Sequence, residues 1–281
     1  MTRWMVTGCS SGLGRALAQA AAAAGDRVAA TARRPAALDE LAAAWPDAVL
    51  PLTLDVRDAQ QCAQAVAAAA GCLGGIDILV DNAGAGLFGA VEEVGDDELR
   101  DQLEAQLIGP WRLIRLVLPI MRAQGRGHIV NVSSIAGRMP VPGLAAYISA
   151  KHALEGMSRA LAEEVAEHGI RVTVMEPGGY ATRYGTALAE TGLRLPAYAH
   201  VHESIGMYRG MDQNADLGRP DDFARAVLTV VGTAPPTALR VPIGPGAYEM
   251  LGASHQAAQG ELAAARALVD ETVAADGAAL G

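Results

Sequence analysis

Short apolar runs alternate along the chain with longer segments of helical periodicity. The runs are rich in Val, Ile and Leu, too short for helices and too continuous for strands with one face in water. They lie at 3–7, 27–31, 49–54, 76–81, 128–133, 171–176 and 239–243. The helical segments between them include 13–24, 59–70, 97–123 and 146–168. This alternation predicts an α/β fold, a doubly wound parallel sheet of about seven strands with helices on both faces.

Length, charge and cysteine content limit the functions that the chain can have. A chain of 281 residues suits one α/β domain, so we predict a single domain over 1–281. The formal net charge is −9, which disfavours a nucleic-acid surface. The three cysteines form no CxxC pair and indicate free thiols in a reducing compartment. Because neither a signal peptide nor a spanning helix is evident, we expect a cytoplasmic protein without a membrane partner.

A glycine-rich turn follows the first predicted strand. The stretch TGCSSGLGRALA places Gly8, Gly12 and Gly14 at a TGxxxGxG spacing directly before a helix. Glycine allows a tight turn and close approach of the backbone to a pyrophosphate, and the helix N-terminus offers N–H groups and the positive end of its dipole. The placement predicts a dinucleotide site on a Rossmann-type sheet. The other residues of the turn that we assign to this site are Ser10, Ser11 and Leu13.

The end of the second strand indicates which dinucleotide is bound. The stretch RVAATARRPAAL has no acidic residue before Asp39 that could accept hydrogen bonds from the ribose 2′-hydroxyl of NAD. Arg33 and Arg34 stand there instead, and arginine suits a 2′-phosphate through charge-assisted hydrogen bonds. We therefore predict NADP(H), held by Arg33 with Ser10 or Ser11 as a second contact. The alternative is a solvated pair of arginines on a loop.

Several further motifs accompany the glycine turn. They are NAG at 82–84, Ser134, Tyr147 and Lys151 four positions apart, and PG at 177–178. With these motifs the chain resembles the short-chain dehydrogenase/reductase family up to about residue 245. The blocks ATARRPAAL, GHIVNVSSIAG and EPGGYAT are most similar to its NADP-preferring, 17β-hydroxysteroid-dehydrogenase-like branch. The resemblance implies a carbonyl reductase that also works as a secondary-alcohol dehydrogenase.

The resemblance also implies which residues lie along the cofactor. They are Asp55, Val56, Asn82, Ala83, Gly84, Tyr147, Lys151, Pro177, Gly178 and Thr182. Asp55 and Val56 are expected beside the adenine, and Thr182 of the PGxxxT pattern beside the nicotinamide carboxamide, unless it only caps a helix. The sequence has DNAG where the family usually has NNAG. We interpret this Asp81 as a minor change, or as a strand-end carboxylate satisfied by nearby backbone.

Tyr147 and Lys151 lie on one helix face, about one turn apart. A ketone that accepts hydride becomes an alkoxide, so a proton donor is needed beside its oxygen. A free phenol has a pKa of about 10, which a nearby ammonium and the oxidised nicotinamide would lower. We therefore predict Tyr147 as general acid and base and Lys151 as the cation that lowers its pKa. Taken alone, the pair could be an amphipathic tyrosine beside a snorkelling lysine.

Two more residues are candidates for the catalytic group. Ser134 stands thirteen positions before Tyr147, the family spacing, and is predicted to orient the substrate oxygen, with a turn role as the alternative. In LEAQLIGP, Gln106 stands where the family usually has an asparagine that anchors a water between the lysine and solvent. A proton relay through Gln106 and a packing role both remain open.

Two later segments bear on substrate binding. The segment 183–217 carries Tyr184, Tyr208, Met207 and Met211 and predicts a substrate lid, with an ordinary surface excursion as the alternative. Its composition favours a fairly apolar ketone or alcohol. The segment 259–275 predicts a C-terminal helix.

Other functions and partners are less favoured by the sequence. Only His200 and His202 are spaced like metal ligands, and we predict no metal. The family resemblance suggests a homodimer or homotetramer built through 97–123 and 146–168. A catalytically inactive NADP(H)-binding sensor or scaffold is the alternative that Gln106 supports. An epimerase or dehydratase is disfavoured, because those relatives usually show TGxxGxxG and a longer C-terminal domain.

Overall fold

The computed structural model describes residues 1–182, 184–210, 214, 216–234 and 239–279. Its strands are β1 (Arg3–Val6), β2 (Arg27–Ala32), β3 (Val49–Thr53), β4 (Ile78–Asp81), β5 (Leu87–Phe88), β6 (Gly127–Val132), β7 (Ile170–Pro177), β8 (Ala189–Glu190) and β9 (Arg240–Ile243). Its α-helices are α1 (Gly12–Ala23), α2 (Asp39–Ala44), α3 (Ala59–Leu73), α4 (Asp96–Leu103), α5 (Gly109–Gln124), α6 (Ala145–Val165), α7 (Tyr184–Ala187), α8 (Ala199–Glu203), α9 (Ile205–Arg209), α10 (Pro220–Gly232) and α11 (Ala247–Ala279).

Seven of the described strands form one parallel sheet, in the order β3-β2-β1-β4-β6-β7-β9. Every apolar run predicted as a strand lies in this sheet, which confirms the doubly wound fold. The strand order reverses between β1 and β4. Ligands of such sheets bind in the crevice at the carboxyl ends of the strands beside that reversal.

Both faces of the sheet are covered by helices. Trp4 and Val6 of β1 belong to a core formed with α1, α2 and α10. Met5, between them, belongs to the core on the opposite face, formed with α3, α5 and α6. Successive side chains of a strand point to opposite faces, so a strand buried on both faces must be apolar throughout. This explains the continuous apolar runs in the sequence.

The helix predicted over 97–123 is interrupted. The described backbone has α4, then a π-helical turn at Glu104–Ile108, and then α5. In the turn the N–H of Gly109 donates to the carbonyl of Glu104, five residues earlier. Pro110 has no N–H to donate to the carbonyl of Gln106, so the α-helical ladder cannot continue there. The turn leaves the side chain of Gln106 buried.

The C-terminal helix begins earlier in the chain than predicted. Helix α11 starts at Ala247, twelve residues before the predicted 259. Ala247 and Leu251 are buried against the body of the domain, and this packing starts the helix early. Beyond Leu251 the described side chains are exposed or partly exposed. In the described part of the chain, the search for a helix both long and apolar enough to span a bilayer finds none.

At the amino ends of β1 and β4, Asp77 forms a partly buried ion pair. Arg3 donates to its two carboxylate oxygens at 2.7 and 2.6 Å, and Arg126 lies 3.2 Å from it. Hydrogen bonding from Arg3 holds the pKa of Asp77 below its ordinary value. The stabilisation is therefore fully present above that ordinary pKa, about 4, and is lost as the pH falls through the lowered one.

Asp77→Ala is expected to lower the free energy of unfolding by about 3 kcal/mol at neutral pH, because the Arg3 guanidinium loses its partner. Chemical denaturation measures this loss, which should shrink as the pH falls below about 4. As a control, Arg100→Ala breaks an exposed ion pair on α4 and should cost less than about 0.5 kcal/mol. Equal losses in the two variants would contradict the prediction.

Candidate active site

The glycine turn between β1 and α1 has the conformation that its sequence predicts. Gly8 and Gly12 have φ of +74° and +59°, a region that other residues rarely adopt. A Cβ on Gly14 would lie 2.6 Å from the carbonyl oxygen of Gly8, so helix and turn approach too closely for any side chain. Ser11, at the N-cap of α1, forms no side-chain cap bond within the described structure. The first N–H groups of α1 can therefore receive a phosphate, and the turn fits a dinucleotide pyrophosphate.

Thr7 joins this turn to the NAG motif, a role that the sequence reasoning missed. Its Oγ1 accepts hydrogen bonds from the backbone N–H groups of Asn82 and Ala83 at 2.8 and 2.9 Å. The side-chain amide of Asn82 donates to the carbonyl of Thr7 at 2.8 Å. A Cβ on Gly8 would lie 2.9 Å from the Cα of Ala83. Asn82 and Ala83 thus lie against the glycine turn, and the Asn82 amide holds the turn in shape. Their contact with the cofactor stays a prediction.

The residues expected around the adenosine end lie at one edge of the sheet. Arg33 follows β2 directly and is exposed, and its charge acts on Asp55, just beyond β3. Arg57, which the sequence reasoning missed, pairs with Asp55 at 2.8 Å. Hydrogen bonding from Arg57 lowers the pKa of Asp55. Val56 is buried, and its carbonyl accepts a hydrogen bond from Arg112 at 3.0 Å.

The PGxxxT segment closes the other side of the glycine turn. Gly178, just after β7, donates its N–H to the carbonyl of Ile243 at 2.9 Å. A Cβ on Gly12 would lie 3.6 Å from the Cβ of Thr182, so this threonine borders the turn. Tyr184 is the first residue of α7. Its N–H donates a hydrogen bond to the Thr182 hydroxyl at 3.2 Å. Thr182 therefore supports the start of a helix and also faces the predicted cofactor cleft.

Ser134, Tyr147 and Lys151 come together beyond the end of β6. The Ser134 and Tyr184 hydroxyls lie near enough to the Tyr147 phenol for hydrogen bonding with them to act on its pKa. The Nζ of Lys151 lies 5.7 Å from the centre of the Tyr147 ring and donates to the carbonyl of Val132 at 2.8 Å. Ser134 also accepts a hydrogen bond from the N–H of the residue two positions later, so it has a turn role as well. The fold therefore brings together the three residues that the sequence assigned to proton transfer.

Burial controls the protonation of these groups. It raises the pKa of Tyr147, while hydrogen bonds with Ser134 and Tyr184 act in the opposite direction. Burial lowers the pKa of Lys151 to about 8, against the charges of Glu155 and Asp81. The sequence argument expected Lys151 and the oxidised nicotinamide together to lower the pKa of Tyr147. Burial raises that pKa in this structure, and the lowering stays a prediction for the complex with the dinucleotide. The phenol is buried, and the ammonium donates to a backbone carbonyl.

Gln106 lies inside the π-helical turn. Its side-chain N–H donates to the carbonyl of Ala85 at 2.5 Å, an oxygen that also accepts from Gln102 at 3.0 Å. Its Oε1 is buried, has no hydrogen-bond partner in the described structure and would lie 3.0 Å from a Cβ on Gly84. The amide is thus anchored on the loop after the NAG motif. A relay from Gln106 to Lys151 stays a prediction.

Asp81, the residue before the NAG motif, differs from its expected role. The sequence argument interpreted Asp81 as a minor change, with a carboxylate satisfied by nearby backbone as the alternative. Among the described residues both of its oxygens are buried and neither has a hydrogen-bond partner. Burial raises the pKa of Asp81 well above its ordinary value, and the charge of Lys151 acts in the opposite direction. The backbone at this strand end is already paired in the sheet, so it offers the carboxyl no donor.

The predicted lid, as far as it is described, packs over Tyr147. The rings of Tyr147 and Tyr184 meet edge to face at 5.9 Å, and Phe88 lies 6.1 Å from Tyr208. The buried apolar side chains of this cluster are Phe88, Ala136, Leu144, Tyr147, Leu188 and Val201. Residues 183, 211–213 and 215 of the predicted lid, Met211 included, lie outside the described residues. The lid role stays a prediction.

The histidine pair of this segment has other partners. His202 hydrogen-bonds with Glu93 at 2.7 Å, and His200 packs against Tyr198. Within the described ranges, no three His, Cys, Asp or Glu side chains are grouped so that they could hold a metal ion.

Comparison with known proteins identifies the family. The family described as short chain dehydrogenase matches residues 3–192. Oxidoreductase BOA17 of Botryotinia fuckeliana is 40% identical over 254 residues, which cover 89% of this chain and 91% of that protein. The fold and site are those of an oxidoreductase acting on CH–OH and C=O groups. The chain belongs to the short chain dehydrogenase family, as its motifs predicted.

Solved structures agree with this assignment. A short-chain dehydrogenase from Streptomyces avermitilis has a TM-score of 0.86 and 40% identity, covering 96% of this chain and 98% of that chain. A metagenomic short-chain oxidoreductase in complex with NADP has a TM-score of 0.69 and 28% identity, covering 86% of this chain and 96% of that chain. Another similar structure contains NADH. One of these two similar structures therefore contains NADP and the other NADH.

Proposed function

We propose that this protein is an NADP(H)-dependent carbonyl reductase that works in reverse as a secondary-alcohol dehydrogenase. Within the family we assign it to the 17β-hydroxysteroid-dehydrogenase-like branch, on the similarity of the three sequence blocks quoted above. The observation that carries the proposal is the convergence of the Ser134 and Tyr147 hydroxyls and the Lys151 amine beyond the end of β6, with the Nζ of Lys151 5.7 Å from the centre of the Tyr147 ring.

Each residue of this group has one task in the proposed reduction. Bound NADPH supplies the hydride that the carbonyl carbon receives. Tyr147 donates its hydroxyl proton to the carbonyl oxygen as the electron pair of the C=O bond moves onto that oxygen. Ser134 donates a hydrogen bond to the same oxygen and orients it. The Lys151 ammonium stabilises the phenolate left on Tyr147, which takes a proton from the alcohol in the reverse direction.

Lysine occurs once in the whole sequence, at position 151. The other 21 of the 22 lysines and arginines are arginines. Arginine keeps its charge at every relevant pH, whereas a buried lysine changes its pKa readily. Lys151 is 5% exposed and its pKa is lowered to about 8. A chain that otherwise uses arginine thus has an amine at the one site where the proposed mechanism needs a titratable cation.

The position of Arg33 supports NADP(H) over NAD(H). Arg33→Ala is expected to weaken NADPH binding by about 10- to 100-fold, the loss of one charge-assisted hydrogen-bonding group. NADH has no 2′-phosphate, so its affinity should change less than about threefold. Fluorescence titration with both dinucleotides measures this. Arg34→Ala is the matched control and should leave both affinities nearly unchanged; equal weakening of NADPH and NADH by Arg33→Ala would contradict the assignment.

The apolar cluster over Tyr147 supports a fairly apolar ketone or alcohol as substrate. The side chains of Phe88, Leu144, Leu188 and Val201 make the surroundings of Tyr147 apolar, which favours a substrate with aromatic or polycyclic rings. We further propose a cytoplasmic homodimer or homotetramer. Trp111, at the start of α5, is 56% exposed, and a large exposed aromatic side chain is typical of an interface core.

The proposed function is tested with purified protein, NADPH and a panel of ketones that ranges from small aliphatic to polycyclic. We expect loss of the reduced-nicotinamide absorbance with apolar ketones, and little or none with NADH at equal concentration. NADPH binding without turnover across the panel would contradict the proposal and favour an NADP(H)-binding sensor.

A further inference from the structure

Asp81 is a buried carboxyl whose surroundings the proposed mechanism does not explain. It is the last residue of β4, and its pairing neighbour on β6 is Asn131. The side chain is 4% exposed. Both carboxyl oxygens lack a hydrogen-bond partner in the described part of the chain, and so does the amide oxygen of Asn131. Three buried acceptor atoms therefore lie at neighbouring positions of the sheet with no donor assigned to them.

The face on which Asp81 lies is the face of the catalytic helix. Leu79, two residues earlier, belongs to the core beneath α3, α5 and α6, and residues two apart on a strand point to the same side. Asn131 donates its side-chain N–H to the hydroxyl of Ser158 on α6 at 2.8 Å. Lys151 lies two turns before Ser158 on that helix and reaches the carbonyl of Val132 at the end of β6. The carboxyl of Asp81 and the ammonium of Lys151 are thus both buried on this face of the sheet.

A buried carboxyl without hydrogen bonds is costly when ionised, unless a cation is near or it takes up a proton. If protonated, Asp81 gains a donor hydrogen that the unpaired oxygen of Asn131 can accept. If ionised, Asp81 attracts the Lys151 ammonium, and each charge stabilises the other. The two groups act on each other's pKa in opposite directions: Lys151 lowers that of Asp81, and Asp81 raises that of Lys151.

The other titratable groups on this face either have charged partners of their own or are thiols and phenols. They are Cys62 of α3, Arg112 of α5, and Tyr147 and Glu155 of α6. Arg112 pairs with Glu104 at 2.7 Å. The charge of Glu155 raises the pKa of Lys151 more than that of Asp81 does. One oxygen of Glu155 accepts from Arg240 at 3.0 Å, so its charge is partly compensated, while its Oε1 has no hydrogen-bond partner among the described residues. Asp81 is the carboxyl on this face that has no arginine partner among the described residues.

We propose that Asp81 is a positioning residue for Lys151: the buried carboxyl and the lysine titrate as a coupled pair, and Asp81 keeps the amine protonated at the pH of turnover. The inference rests on the proposed function only in giving Lys151 a catalytic role. The presence of aspartate where relatives usually have asparagine then has a physical consequence. The aspartate gives this chain an ionisable carboxyl on the buried face that also holds its single lysine.

The single lysine makes the test direct. Protein labelled with ¹³C at the lysine side chain gives one lysine signal, that of Lys151, which can be titrated without substrate or cofactor. Asp81→Asn keeps the shape of the side chain and restores the asparagine of the usual NNAG pattern. We expect the titration midpoint of Lys151, near pH 8 in the wild type, to fall by about one pH unit in this variant.

The matched control is Asp58→Asn, which removes a carboxylate at the exposed N-cap of α3 and leaves a good capping residue. It should leave the Lys151 midpoint unchanged. An unchanged midpoint in Asp81→Asn overturns the proposal. A second measurement needs no variant: in the wild type the lysine signal should follow two steps, because coupled groups each report both ionisations, and a single-step curve overturns the pairing.

The titration also separates this inference from the proposed function. If Asp81→Asn shifts the midpoint but no ketone is reduced, the pairing is supported and the proposed function fails. If ketones are reduced and the midpoint does not move, the proposed function is supported and the pairing fails. In an active enzyme, Asp81→Asn should also move the high-pH fall of kcat/KM to lower pH, with KM for the ketone little changed.

Discussion

Tyr147→Phe is expected to lower kcat/KM for ketone reduction by about 1,000-fold, a loss of about 4 kcal/mol in transition-state stabilisation. The phenol is the one proton donor that the proposed mechanism places at the substrate oxygen. Phenylalanine keeps the ring, which is 92% buried and packs edge to face against Tyr184. Stability should therefore change little, and NADPH affinity by less than about twofold. Steady-state kinetics and cofactor titration of the same preparation measure both.

The control for this variant is Tyr184→Phe. It removes the other hydroxyl that acts on Tyr147 and keeps the Tyr184 ring against the ring of Tyr147. Because Tyr184 has no assigned proton transfer, we expect a loss of less than about tenfold. Retention of more than a tenth of the wild-type activity by Tyr147→Phe would show that another group donates the proton, and a similar loss in both variants would point to packing.

Lys151→Arg is expected to lower kcat/KM by about 100-fold or more, although the formal charge is kept. The lysine is 5% exposed, and its Nζ donates to the carbonyl of Val132 at 2.8 Å. A planar guanidinium is larger than this enclosure and cannot place a single N–H in the same position. Arg159→Ala, an exposed cation on the same helix, is the control and should keep wild-type activity.

The pH profile of the same variant gives an independent readout. As the pH rises through about 8, wild-type Lys151 loses its proton, and its stabilisation of the Tyr147 phenolate goes with it. Reduction should therefore slow above that pH in the wild type. In Lys151→Arg the remaining activity should not show this fall, because arginine stays protonated. Activity within twofold of the wild type would show that a fixed positive charge at this position is sufficient.

The pattern of residues determined the order of strands and helices along the chain, the glycine turn and the placement of Tyr147 and Lys151 on one helix face; the family resemblance added Ser134. These features depend on local rules, namely the side-chain period of strands and helices, the positive φ open to glycine and the spacing of one helical turn. They could be predicted because each is complete within a few residues or one motif.

Only the tertiary structure decided the features that depend on contacts between distant segments. The π-helical turn points Gln106 at Ala85, Thr7 joins the glycine turn to Asn82, and Tyr184 lies against Tyr147. The early start of α11 and the unpartnered burial of Asp81 belong to the same group. Burial removes water from a side chain and leaves only the partners that other elements bring to it. No local pattern states what those partners are, so the protonation of Tyr147, Lys151 and Asp81 follows from the packing of the whole domain.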